Sequence, residues 1–140
     1  MKFKIFIEAF LVVSLLAGCG DSAADHLALT EDRNGETITM EPGGKFSVEL
    51  SGNPTTGYEW TVARIDAAFL RLEESAYDAD SSAIGSGGTY VFRFETLQAG
   101  ETTLALAYRR SWETTVSDRT FTLAVSIQGS ESADPATGEP

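Results

Sequence analysis

The sequence holds few of the side chains that covalent chemistry needs. Its one histidine is His26 and its one cysteine is Cys19. With Cys19 read below as a lipidation site, no spare thiol is left for Cys/His nucleophilic catalysis, and a single histidine cannot build a His-rich zinc site. A Ser/His/Asp triad would need His26, which lies in a short polar stretch near the N-terminus, to reach a cleft. Glu73 and Glu74 are adjacent. Neighbours on a strand point to opposite faces, so the two are read as solvated strand charges rather than as a pair flanking one bond. Asp78 and Asp80 in YDADSS lack the further ligands and the glycine of a calcium loop. No glycine-rich phosphate loop leads into a helix. The expectation is a protein that is not an enzyme and holds neither cofactor nor metal.

Three turn segments are more distinctive. The first is NPTTGY, Asn53, Pro54, Thr55, Thr56, Gly57 and Tyr58. Pro54 fixes φ near about −65° and Gly57 tolerates positive φ, while two short β-branched threonines have few rotamers to lose on contact. The result is a narrow, stiff, uncharged tip. The second is Gly85, Ser86, Gly87 and Gly88, whose glycines leave backbone N–H and C=O groups open to an extended partner. The third is YRRSWE, Tyr108–Glu113. Trp112 falls between two alternating runs, without the periodic apolar neighbours of a core position. An exposed tryptophan beside Arg110 has the composition of a binding hot spot.

The elements that carry these turns have a period of two. Phe46, Val48 and Leu50 alternate with Lys45, Ser47 and Glu49. The same holds for Tyr58, Trp60 and Val62; for Tyr90, Phe92 and Phe94; for Leu104, Leu106 and Tyr108; and for Phe121, Leu123, Val125 and Ile127. Each run predicts a strand with one buried face, and Trp60 is placed in the core. Shorter candidates are Leu27–Thr30, Thr37–Met40 and Leu70–Tyr77, with a helix left open around Ile65–Leu72. Turn signals at Asn34-Gly35, Pro42-Gly43-Gly44, Asn53-Pro54, Gly85–Gly88 and Ala99-Gly100 separate them. Seven or eight short strands so spaced predict an all-β, immunoglobulin-like antiparallel β-sandwich over residues 27–128. In that architecture alternate connections gather at one end, and counting strands puts the three turns together.

Lys2 and Lys4 precede an apolar run, Ala9–Ala17, that ends in Leu16-Ala17-Gly18-Cys19. This reads as a secretory signal over residues 1–18, too short to span a bilayer. Its ending resembles a bacterial lipoprotein signal, which implies lipidation of Cys19. Residues 19–26 then form a tether, and residues 129–140, which carry no large apolar side chain, form a disordered acidic tail. The net charge of −11 excludes a nucleic-acid footprint. It also excludes charge-driven adhesion to anionic lipid, so the membrane link would be the acyl chains alone. With one cysteine no intramolecular disulfide can form, and an ordinary apolar core must hold a monomeric domain.

Taken in order, the three turns resemble the chagasin-like inhibitors of papain-family cysteine peptidases. NPTTGY matches that family's first loop, Gly85–Gly88 its Gly-x-Gly-Gly loop, and Tyr108–Glu113 its Tyr-x-Arg-Pro-Trp-Glu loop, except that Ser111 stands where the family usually has proline. The resemblance implies a reversible inhibitor whose Thr55 and Thr56 enter the catalytic cleft. The glycine loop would pair through its backbone on one side, with Trp112 stacking on the other and Arg110 hydrogen-bonding at the rim. The separate resemblance of Leu16-Ala17-Gly18-Cys19 to a lipoprotein signal implies a lipid-anchored protein of the bacterial envelope. Gly20 after the cysteine favours the outer membrane over the inner. A lipid-anchored immunoglobulin-like module that binds an envelope protein or a glycan is the alternative.

Overall fold

The computed structural model describes residues 26–114 and 119–129. The signal segment, Cys19, most of the tether and the tail beyond Gly129 lie outside the described residues. Eight strands form two four-stranded sheets. The strands are β1 (Leu27–Leu29), β2 (Thr37–Met40), β3 (Lys45–Gly52), β4 (Tyr58–Arg64), β5 (Leu70–Ala79), β6 (Gly88–Thr96), β7 (Gly100–Arg110) and β8 (Arg119–Ile127). One sheet has the order β1-β3-β6-β5 and the other β2-β8-β7-β4.

The period-two runs bury the faces they predicted. Phe46, Val48 and Leu50 of β3 meet Leu104, Leu106, Phe121, Leu123 and Val125 from the opposite sheet in one core. Phe46 stacks on Phe94 at 5.3 Å. Each such side chain, fully withdrawn from water, contributes roughly 1.5–3 kcal/mol to the folded state. Trp60 is buried at 5% exposure, and its indole N–H donates to the Ser51 carbonyl at 2.9 Å.

The sandwich is mixed rather than wholly antiparallel, since β1 pairs with β3 and β2 with β8 in parallel. The chain dictates this. It runs up β1, crosses to the other sheet, runs down β2, and recrosses through a turn of four residues, 41–44, to start β3. Strands β1 and β3 therefore point the same way, as do β2 and β8. The helix left open around Ile65–Leu72 does not form. Residues 65–69 make a turn in which the Phe69 and Leu70 amides donate to the Asp66 carbonyl, and β5 starts at Leu70.

Glu73 and Glu74 depart from strict alternation. A bulge between Leu72 and Glu74 inserts one residue into β5, and an inserted residue shifts the side-chain phase. Glu73 then reaches Lys45 at 2.9 Å, and Glu74 pairs with Arg93. Both carboxylates thus meet cations on the solvent side of the β1-β3-β6-β5 sheet. They remain surface charges, but not on opposite faces.

Candidate functional site

The connections β3–β4, β5–β6 and β7–β8 all leave from one pole of the sandwich, and their residues touch. In the first, Asn53 caps a 3-10 turn over Pro54–Thr56, its side-chain oxygen accepting from the Thr55 amide at 3.1 Å and the Thr55 hydroxyl at 2.6 Å. The Thr56 hydroxyl donates back to the Asn53 carbonyl at 2.7 Å. Gly57 ends the turn at φ +83°, the left-handed region that favours glycine. Both threonine hydroxyls are satisfied within the loop, so the tip offers methyl groups and a fixed shape rather than a nucleophile.

Contacts on either side hold this tip. The Asn53 side-chain amide donates to the Gly85 carbonyl at 3.0 Å, and Arg110 Nε donates to the Thr56 carbonyl at 3.3 Å. From below, the Tyr108 hydroxyl accepts from the Asn53 amide at 2.8 Å. Tyr108 stacks on Tyr58 at 5.4 Å and meets Trp60 at 5.3 Å. Tyr77 and Tyr90 pack together at 4.8 Å under the second loop. Burial, with Tyr108, Glu59 and Tyr77 nearby, pushes the Tyr90 hydroxyl up to about 12, so it stays neutral.

The glycines of the second loop play different parts. Gly85 takes φ +83° with open space around its Cα. The Gly87 carbonyl accepts from the Asp80 amide at 3.0 Å, and the Ser86 hydroxyl donates to the Ser81 carbonyl at 2.8 Å. Gly88 is buried at the base of the loop, opposite Gly52 and Ala79. A Cβ there would lie 2.2 Å from the Asp78 carbonyl oxygen and 2.6 Å from the Tyr77 hydroxyl. Gly88 thus supports the loop from within the sheet, and the backbone strip open to a partner is shorter than the sequence suggested. In the third loop, Trp112 is 70% exposed and lies over Gly57. A Cβ on Gly57 would come within 2.6 Å of the indole Cη2.

The three tips therefore make one convex ridge, with Thr55 and Thr56 between the glycine loop and the Trp112 ring. A surface cleft of about 630 Å³ beside Arg64, Asp66 and Glu101 lies near the other pole. His26, just ahead of β1, is at that far pole as well, since β1 runs towards the ridge. Among the described residues no group of histidine, cysteine and carboxylate side chains could hold a metal ion.

The sequence model described as "Chagasin family peptidase inhibitor I42" matches residues 39–125. The chain belongs to the chagasin family of peptidase inhibitors. Amoebiasin-1 of Entamoeba histolytica is 40% identical over 102 residues, which is 73% of this chain and 100% of that one. Chagasin of Trypanosoma cruzi is 32% identical over 89 residues, 60% of this chain and 81% of its own. The crystal structure of the cysteine protease inhibitor EhICP2, from Entamoeba histolytica, superposes with a TM-score of 0.66 at 26% identity, covering 73% of this chain and 95% of that one. Membership places this chagasin-family chain among inhibitors rather than enzymes.

Two features of this chagasin-family ridge were not read from the sequence. Ile84, just ahead of Gly85, is fully exposed at the tip of the second loop. An aliphatic residue between Ala83 and the glycines was its only trace, and no alternation flanked it. The β1–β2 connection also leaves from the ridge pole. Glu31 accepts from the Ser51 amide at 3.0 Å and the Ser51 hydroxyl at 2.8 Å and pairs with Arg119. The Arg119 guanidinium lies over Tyr108 at 5.0 Å. The same count of alternate connections places it at this pole once Leu27–Leu29 and Thr37–Met40 are both taken as strands.

Proposed function

We propose that the chain reversibly inhibits papain-family cysteine peptidases by seating its ridge in their catalytic cleft. The observation that carries this reading is the convergence of three distant turns into a single convex edge with an uncharged Thr55–Thr56 tip. Such an edge fits a groove in another protein. The tip would fill the narrow part of the groove near the catalytic cysteine, with the glycine loop and Trp112 on either side. A 3-10 turn held by its own asparagine cap does not present an extended scissile peptide, which supports resistance to cleavage. Loops fixed before docking lose little conformational freedom on binding, so more of the contact energy appears as affinity.

The test is titration of papain and a cathepsin L-like enzyme with the chain, followed by mass measurement of the recovered inhibitor. The expected result is competitive inhibition, relieved on dilution, with the chain intact. Full peptidase activity under micromolar excess of the chain, or cutting at Thr55–Thr56, would reject the reading. No observation favours the alternative of a glycan or envelope-protein module.

The same proposal includes attachment through lipid on Cys19 at the bacterial envelope, in the outer rather than the inner membrane. The basic start, the apolar run and Leu16-Ala17-Gly18-Cys19 support it. Strand β1 begins at the pole opposite the ridge. The stretch from Cys19 to His26 reaches at most about 25 Å, so an anchored chain would turn its ridge away from the bilayer. Incorporation of labelled palmitate, abolished by Cys19→Ala, tests the attachment, and density fractionation of the two membranes tests the location.

A further inference from the structure

We propose that Arg110 is a positioning residue that bolts the third loop to the first, so that Trp112 and the threonine tip dock as one rigid body. The family resemblance would instead give this guanidinium to the target, as a hydrogen-bond donor at the rim. The structure shows two of its five N–H groups engaged within the ridge. Nε donates to the Thr56 carbonyl of the first loop at 3.3 Å, and Nη1 donates to Glu113 Oε1 of the third at 3.1 Å. Between these bonds the guanidinium carbon sits 4.4 Å from the centre of the Tyr58 ring, and Arg110 is the partner of Tyr58 across β4 and β7. Its side chain is only 34% exposed.

The planar fork makes this arrangement specific to arginine. One rigid group donates in two directions while its face rests on a ring, which a lysine ammonium cannot do. Ser111 and Trp112 are the only residues between Arg110 and Glu113, and the Glu113 amide donates to the Arg110 carbonyl at 3.2 Å. The turn bearing Trp112 is thus closed twice, once by backbone and once by the ion pair, and tied to the loop over which the indole lies. Proline at 111 would restrain the same turn covalently. Here the Arg110–Glu113 pair supplies the restraint that Ser111 does not.

The two roles give opposite outcomes for Glu113→Gln. A bolt is weakened when its partner loses its charge, whereas a donor reserved for the peptidase is held less tightly and so more readily given. The experiment uses the full chain in mild detergent, with Glu113→Gln, Arg110→Lys and the double variant Glu113→Gln/Ser111→Pro. Hydrogen exchange of the Thr56 and Gly57 amides is read without peptidase. For both single variants it is expected to speed up at least about fivefold, with the global unfolding midpoint unchanged. Papain inhibition by Glu113→Gln is expected to weaken roughly fivefold, mainly through faster dissociation. Ser111→Pro in the same chain is expected to restore it.

Unchanged first-loop exchange would overturn the coupling. Faster exchange with undiminished inhibition, or tighter binding by Glu113→Gln, would overturn the positioning role. The inhibitory part rests on the peptidase reading, but the exchange measurement does not. A wild-type chain that failed to inhibit papain would sink that reading and leave exchange to decide whether the loops are coupled.

Discussion

Gly57→Ala separates the shape of the ridge from the stability of the fold. Two costs arise at this position. Gly57 sits at φ +83°, where a side chain costs roughly 1–2 kcal/mol. The new Cβ would also lie 2.6 Å from Trp112 Cη2 and 3.2 Å from Cζ2, against open space at Gly43, which has φ +81°. Gly43→Ala at the far pole therefore carries the backbone cost alone. The gain from a stiffer unfolded chain is the same in both variants and cancels in the comparison. Because the indole is exposed at its outer edge, it can swing away by about 1 Å at little cost to folding. The two variants should then lose equal stability in urea, within about 0.5 kcal/mol. Inhibition should differ. Gly57→Ala displaces a binding anchor and should weaken papain inhibition by up to about 2 kcal/mol, roughly thirtyfold, while Gly43→Ala inhibits as wild type. Equal inhibition by the two variants in progress-curve assays would show that the seat of Trp112 on Gly57 plays no part in binding.

Trp112→Ala itself should cost about 2 kcal/mol of affinity and leave the urea midpoint in place, because the ring is mostly exposed; a large loss of stability would make it a structural cap instead. Ile84→Ser should likewise leave folding untouched and weaken inhibition by about 1 kcal/mol, roughly fivefold, if this exposed side chain is buried by the peptidase. The third prediction concerns acid. The hydrogen bond from Lys45 holds the Glu73 carboxyl below its ordinary 4.5. A depressed folded value stabilises in full above the unfolded value and is lost as pH falls through the folded one. The stability gap between wild type and Lys45→Met should therefore be present at pH 7 and close as pH drops below 4.5. A gap constant from pH 7 to pH 3 would show that the Lys45–Glu73 contact contributes nothing through charge.

Much of the fold was legible because its signal is local. Phe46, Val48 and Leu50, or Leu104 and Leu106, announce a buried face by alternation alone, and Asn-Pro and Gly-Gly mark the turns. The parts that were not legible depend on partners distant in sequence. The parallel β1–β3 and β2–β8 pairs follow from which sheet each short edge strand joins, and a three-residue run such as Leu27–Leu29 does not encode that. The turn at residues 65–69 was ambiguous because Ile65, Phe69 and Leu72 suit one face of a helix as well as the start of a strand. The bulge at Glu73 reversed a facing argument that assumed perfect pleating. Arg110 shows the limit most plainly. Its type and place suggested a donor at the rim, and only the positions of Thr56 and Glu113 reveal that two of its N–H groups are used within the ridge.

The distribution of aromatic residues links these observations. All four tyrosines and both tryptophans lie at or just under the ridge pole, whereas the stacked pair Phe46 and Phe94 lies in the core towards the other pole. A phenol or indole can pack its ring while its polar atom serves a neighbouring backbone group. Tyr108 does so for Asn53, and Trp60 for Ser51. The ridge has no disulfide beneath it and is built on glycines that by themselves would loosen it. The aromatic layer is what converts those turns into fixed shapes. Substitution of Tyr108 by Phe isolates this effect, since it keeps the stacking on Tyr58 and Trp60 and removes only the hydroxyl. It leaves the part-buried Asn53 amide without its partner, at a cost of about 1–3 kcal/mol. If the layer acts by shaping the ridge, inhibition should fall by more than stability does; an equal fall in both would assign Tyr108 to the core.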